Sequence, residues 1–257
     1  MKIFTTSLCC ILLLTCSTIK KYSSIQDDLR GVLPMVNKGE TVVYHNAYAL
    51  VYNERHEQAS WVGYLLTKER ANGQFPRNGQ FRKDPAIGSG SANEWDYKNS
   101  GYTRGHLAPA GDMKWDQIAM EESFLMSNMS PQSKEFNDGV WNRLENQVRL
   151  WARQYDSLYV FTGPVLADDE TLTIGQSTRI TVPRAFYKVI YAPKLKQGIG
   201  FIVPHETSKA ALQTFAINID GVEEATGIDF LHGIANEENI EGNLCIGCWT
   251  FGKNKTY

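Results

Sequence analysis

Six runs of β-branched and aromatic residues constrain this chain more than any other feature. Thr41–Tyr44, Ala47–Tyr52 and Trp61–Leu66 come before residue 70, and Leu158–Phe161, Phe186–Tyr191 and Ile199–Val203 follow much later. Such runs read as strands. A short polar turn separates the second run from the third, which predicts an antiparallel pair. The clearest helical periodicity runs over 137–154. There is neither an internal repeat nor an interdomain linker, so the pattern predicts one α+β domain with an antiparallel sheet. The 257 residues lie in the upper range of a single domain, and the 42% hydrophobic content is too high for a disordered chain. A mean hydropathy of −0.33 argues against several membrane spans.

The N-terminus reads MKIFTTSLCCILLLTC. Lys2 is followed by an uncharged apolar run from Ile3 to Thr15 and then by Ser17, Thr18, Lys20 and Lys21. This is the layout of an export signal, too short to span a membrane comfortably. Leu13-Leu14-Thr15-Cys16 resembles a bacterial lipobox, which would lipidate Cys16, although Thr15 stands where a smaller residue is usual. The expected organisation is a signal peptide over 1–16, a polar tether over 17–38 and one domain over 39–257. The expected destination is the periplasm, the cell surface as a lipoprotein, or the medium. An uncleaved signal anchor is the alternative. The mature chain keeps only Cys245 and Cys248. A lone C-x-x-C lacks the second pair that a zinc site needs, so a local disulfide or two free thiols remain.

The helical stretch carries two stripes. Val140, Leu144, Val148 and Trp151 are spaced 4, 4 and 3, and Asn137, Trp141, Glu145 and Arg149 are spaced 4, 4 and 4. The first stripe predicts a buried face. The second is compatible with a solvated Glu145–Arg149 pair on an ordinary amphipathic helix, with Asn137 as its N-cap. Residues 70–101, rich in Gly, Asn, Ser and Lys, read as a long loop, and loops of that length are usually functional or mobile.

Residues 103–113 read TRGHLAPAGDM and residues 128–149 read NMSPQSKEFNDGVWNRLENQVR. Arg104-Gly105-His106-x-Ala108-Pro109, Asn128-x-x-Pro131-Gln132 and Asn137-x-x-x-Trp141-x-x-x-Glu145 together resemble the signature of the DNA/RNA non-specific endonucleases. Supporting runs extend the resemblance: Trp61-Val62-x-Tyr64, Arg77 with Phe81 and Asp84-Pro85, Thr162-Gly163-Pro164, Val182-Pro183, Tyr187-Lys188-Val189, and 220–230 with Thr226-Gly227. The resemblance implies a ββα-metal (His-Me finger) nuclease fold with a central antiparallel sheet flanked by helices. It also implies Mg²⁺-dependent cleavage of DNA and RNA, with Mn²⁺ as an alternative, leaving 5′-phosphates.

These residues suit the chemistry. Phosphodiester hydrolysis needs an activated water and relief of charge on the phosphate oxygens. A neutral imidazole near its pKa can take a proton from water, so His106 is the candidate base, and His45, His56, His205 and His232 are read as structural. By resemblance Asn137 is the direct metal ligand, a hard neutral oxygen donor that leaves most of the metal's shell to water and phosphate. By resemblance too, Glu145 holds metal-bound water and Arg149 steadies Glu145 and the phosphate. Arg104 and Arg77 are candidate phosphate ligands, because a guanidinium binds phosphate bidentately and stays charged. Arg77 is the better candidate to face the scissile phosphate. Asn128 is expected to orient the site. The departure is Thr103, where the family usually has Asp. A catalytically impaired nucleic-acid-binding lipoprotein and a zinc phosphoesterase are the rival readings; the second lacks His, Asp or Cys ligand clusters.

The pI of 6.2 excludes a protein that coats nucleic acid, but not a basic cleft. Residues 206–241 hold eight acids against Lys209 alone, while the expected site region carries Arg77, Arg82, Lys83, Arg104, Arg143 and Arg149. An acidic far side and a basic working side are therefore expected.

Overall fold

The computed structural model describes residues 24–167, 169 and 171–252. The expected signal peptide and Cys16 lie outside them. The chain runs through a short helix α1 (Ile25–Asp28), strands β1 (Val42–Tyr44), β2 (Ala49–Asn53) and β3 (Gln58–Thr67), and the long loop. It continues through β4 (Thr103–His106), helix α2 (Gln117–Glu122), β5 (Met129–Gln132), one turn of helix α3 (Lys134–Phe136) and the long helix α4 (Asn142–Tyr155). The second half holds β6 (Ser157–Val165), β7 (Thr173–Ile174), β8 (Ile180–Thr181), β9 (Ala185–Ala192), β10 (Gln197–Pro204), β11 (Ala216–Ile217), α5 (Ile219–Thr226) and α6 (Glu237–Gly242).

Seven strands form the main sheet in the order β1-β2-β3-β6-β9-β10-β11, every neighbouring pair antiparallel. All six runs read as strands lie in it. Alternate residues face opposite ways along a strand. Tyr48, Leu50, Val62, Tyr64, Phe186 and Ile190 therefore pack with Trp141, Leu144, Val148 and Trp151 of the α4 side. Ala49, Val51, Trp61, Tyr187 and Val189 face the other way, against Ile219 and Val222 of α5, Phe230 and Leu231. Both faces are covered, so the strands read as continuous apolar runs rather than as alternating ones.

The tether expected over 17–38 is corrected from residue 24 on; 17–23 lie outside the described residues. Ile25, Leu29 and Val32 are buried in the second core, Ser24 caps α1, and Asp28 pairs with Arg70 at 2.7 Å. Three apolar residues at helical spacing were hidden among polar neighbours. At the other end, Cys245 and Cys248 form a disulfide, the first of the two alternatives. The segment behind it lies along α4: Trp249 packs on Trp151 with ring centroids 4.8 Å apart, and the Trp151 indole donates to the Thr250 carbonyl at 2.8 Å.

Candidate active site

Strands β4 and β5 form a separate antiparallel hairpin, pairing Thr103 with Gln132 and His106 with Met129. Helix α3 and α4 follow directly, which gives a ββα unit. Ser133, not Asn137, is the N-cap: its hydroxyl accepts from the Phe136 amide. Asn137 instead opens a wide, π-type turn over Asn137–Trp141, where Gly139 leaves helical geometry at φ −94° and ψ −110°. Such bulges frequently mark functional sites. Helix α4 proper starts five residues later than the periodicity suggested.

This turn aims Asn137 at the hairpin. Its Nδ2 donates to Thr103 Oγ1 at 3.2 Å, and the Thr103 hydroxyl in turn donates to the Gln132 carbonyl at 2.8 Å. One hydroxyl thus holds the amide in a fixed orientation. Among the described residues the Asn137 Oδ1 accepts no hydrogen bond, so the carbonyl oxygen stays available. Thr103, the one departure from the resembled signature, links hairpin and helix start through its hydroxyl.

His106 ends β4, 8% exposed, between aromatic rings: Phe124 meets it edge-on at 5.0 Å and Phe81 lies at 5.9 Å. Its Nε2 is buried with no hydrogen-bond partner. Burial, then the positive charge of Arg77, lowers its pKa to about 3, so the ring is neutral across the physiological range. The other histidines are committed elsewhere. His45 bonds Asp84 at 2.9 Å, His56 bonds Thr181 at 2.9 Å, His205 accepts from the Ser133 amide at 2.8 Å, and His232 lies near Asp229.

The long loop of 70–101 brings Arg77 to this place, beside Arg104 of β4. Asp84 anchors it, accepting from His45 and from Ser127 at 2.5 Å. The Arg77 guanidinium then lies 5.4 Å from the centre of the Phe124 ring, and that of Arg104 lies 4.4 Å from the centre of the Phe81 ring. The same two rings flank His106, so the imidazole and the two arginines share one aromatic wall. Arg82 and Lys83 line an open groove with Glu94 and Trp95 beside it.

Beneath the hairpin lies a group of charges. Half-buried Glu145 stands on α4, and burial pushes its carboxyl up while the Arg149 and Lys188 charges draw it down. Lys188, fully buried, donates to Thr162 Oγ1 at 2.6 Å and sits 4.8 Å from the Trp141 ring centre. Burial lowers its pKa, and Glu145 opposes that. Arg149 bonds Asp112 at 2.5 Å, and Tyr64 donates to the other oxygen of Asp112 at 2.7 Å. Gly111 makes room for this pair, since a Cβ there would stand 2.8 Å from Arg149 Nη1.

One expectation changes and two are sharpened. Arg149 is hydrogen-bonded to Asp112, and its charge also acts on Glu145. Asn128 orients the site through the backbone: fully buried, it accepts from the Ala108 amide at 2.8 Å and donates to the Ala108 and Ser123 carbonyls. It fixes the chain just past His106. Arg143 leaves the basic set, because its guanidinium donates to the Ser208 and Ala210 carbonyls. Asp112 and Lys188 were missed, although both lie within runs that carried the resemblance. The acids of 206–241 that sit on α5 and α6 do lie across the sheet from α4.

A sequence model of the DNA/RNA non-specific endonuclease family matches residues 32–237. Nuclease C1 of Cunninghamella echinulata var. echinulata is 35% identical over 216 residues, which cover 77% of this chain and 85% of that protein. Human mitochondrial endonuclease G is 33% identical over 204 residues, covering 73% of this chain and 68% of its own. The crystal structure of the EndoG/EndoGI complex aligns with a TM-score of 0.73 at 31% identity, over 83% of this chain and 94% of the other.

Proposed function

The chain belongs to the DNA/RNA non-specific endonuclease family and is a metal-dependent nuclease; from that premise we propose that His106 is the general base for hydrolysis of DNA and RNA with one Mg²⁺ ion. The observation that carries this reading is the buried, unpartnered Nε2 of a neutral His106 beside Arg77. A histidine kept uncharged and unbonded in an apolar niche is a base waiting for a proton. Arg77 and Arg104 would hold the phosphate against it. Phosphate bound to Arg77 offsets the charge that depresses His106, so the base strengthens when substrate arrives.

The donor set fits a hard divalent cation. Asn137 offers a free, oriented amide oxygen on the turn that leads into α4, and Glu145 offers a carboxylate on the first turn of α4. When bound there, Mg²⁺ would supply charge relief on the phosphate oxygens and the leaving 3′ oxygen. Asp112, through Arg149, and Lys188 position Glu145 by charge. Grip on phosphate and sugar rather than on base edges supports low sequence preference. The proposed products carry 5′-phosphate.

We also propose export, with lipidation at Cys16; the Cys245–Cys248 disulfide supports an oxidising compartment.

The test is digestion of plasmid and of RNA by the purified protein with Mg²⁺, with EDTA and with Zn²⁺. Cleavage of both substrates with Mg²⁺ and none with EDTA is expected. Plasmid bound but uncut would favour the impaired-binder reading, and a strict need for Zn²⁺ the zinc phosphoesterase. A finer prediction concerns Thr103. Thr103→Val breaks the hold on the Asn137 amide, and loss of such an orienting contact weakens metal binding about 10–100-fold. The Mg²⁺ concentration giving half-maximal rate should rise accordingly, while Thr103→Ser keeps it near the wild-type value. Equal half-saturation in the two variants would remove Thr103 from the metal site.

A further inference from the structure

We propose that Asp220, Glu223 and Glu241 form a second divalent-cation site, selective for Ca²⁺, on the sheet face opposite His106. The three side chains come from α5 and α6, and one carboxylate oxygen of each lies within 4.8 Å of the others. Two oxygens that each stand about 2.4 Å from one ion are at most about 4.8 Å apart, so the three carboxylates can share one Ca²⁺; donors on two separate helices suit its irregular shell better than the near-ideal octahedron Mg²⁺ demands.

An acidic cluster alone would be a solvated surface, but Glu241 is not solvated. It is 6% exposed, and its Oε1 is buried with no hydrogen-bond partner. Packing puts it there. Ile219 of α5 and Ile240 of α6 both close over Gly198 of β10, and Ile240 is buried in the second core. The next residue is thereby pressed against α5. The charges acting on Glu241 are Glu223, Glu237, Asp229 and Asp220, all acidic, with His232 beside Asp229. Burial and this repulsion raise its carboxyl to about 8.

Two of the neighbours are already held: Glu223 accepts from the Phe230 amide at 2.7 Å, and Glu237 from the Gly233 amide at 2.7 Å. The free oxygens converge on Asp220, Glu223 and Glu241. All donors are hard oxygens, which excludes soft-metal chemistry. A cation here ties α5 to α6 and takes no part in hydrolysis.

The test is thermal unfolding of the purified protein carrying Asn137→Ala, which silences ions at the candidate active site. With about 10 mM CaCl₂ against EGTA, the Tm should rise by about 5 °C. Glu241→Gln should abolish the Ca²⁺ shift while raising the Tm in EGTA, since a neutral amide removes the repulsion. Titration calorimetry should give one Ca²⁺ per chain, and none after Glu241→Gln. If that variant does not fold, the exposed Asp220→Asn takes its place. An unchanged Ca²⁺ shift in the variants, or no shift in the parent, overturns the site; a shift with Mg²⁺ but not Ca²⁺ overturns the choice of ion.

Discussion

His106→Ala is expected to lower plasmid cleavage by about 10²–10⁴-fold, the usual worth of a positioned general base. Plasmid binding should persist, because Arg77 and Arg104 remain on the aromatic wall. No neighbouring imidazole can stand in: His45 and His205 are hydrogen-bonded at 2.9 and 2.8 Å in the framework. Added imidazole should restore part of the rate, entering the space left between Phe81 and Phe124; a purely structural histidine would show no such rescue. Retention of the rate within tenfold would remove His106 from the role of base.

The pH profile should separate His106 from Glu145. The imidazole is held near 3 and is already neutral at neutral pH, so it does not set the acid limb of the free enzyme. Glu145, raised by burial, does. Activity should therefore fall on acidification as Glu145 takes a proton and loses its hold on metal-bound water. Raising Mg²⁺ should move that limb to lower pH, because cation and proton compete for one carboxylate. A limb unmoved by Mg²⁺ would point to a group away from the metal.

What could be read from the residues depended on how each part is held. The main sheet was legible because both its faces are buried, and β2, β3, β6, β9 and β10 therefore stand out as unbroken apolar runs. The catalytic hairpin was not legible as strands. Thr-Arg-Gly-His and Met-Ser-Pro-Gln carry no β-pattern, and β4 and β5 emerged only through the spaced motif. Even so, the candidate base, amide ligand and carboxylate were named from that motif, and the structure brings their elements together in one ββα unit.

Other features had no local signal. The π-type turn at Gly139 breaks the stripe that would have placed Asn137 at a helix cap. Asp112 acts through Arg149 and Tyr64, which are 37 and 48 residues away, and no periodicity reports such distances. Lys188 sits on the buried face of a central strand, between Phe186 and Ile190, where an apolar residue is the expectation; its register opposite Thr162 gives the ammonium a partner inside. Charge asymmetry was legible in outline, but Arg143 showed that a basic residue near a motif can serve a loop.

Asn137→Ala tests the metal side with comparable force. Its side chain makes one hydrogen bond, to Thr103, and such a bond is worth about 1 kcal/mol, so the fold should survive with a small loss in Tm. Cleavage should nevertheless fall by about 10³-fold, equivalent to about 4 kcal/mol of transition-state stabilisation withdrawn with the cation. The contrast between a small stability effect and a large rate effect is what distinguishes a ligand from a cap or a packing residue. Calorimetry with Mn²⁺, used as a tighter surrogate for Mg²⁺, should show the active-site binding event lost in Asn137→Ala. It should be preserved in His106→Ala, which removes the base but leaves the Thr103–Asn137 contact intact. If both variants lose Mn²⁺ binding, the two residues share one structural defect. If neither does, Asn137 is not the ligand, and Glu145 would have to hold the ion without it. That second outcome would leave the fixed orientation of the Asn137 amide without a function, because nothing else in the ββα unit uses its free oxygen.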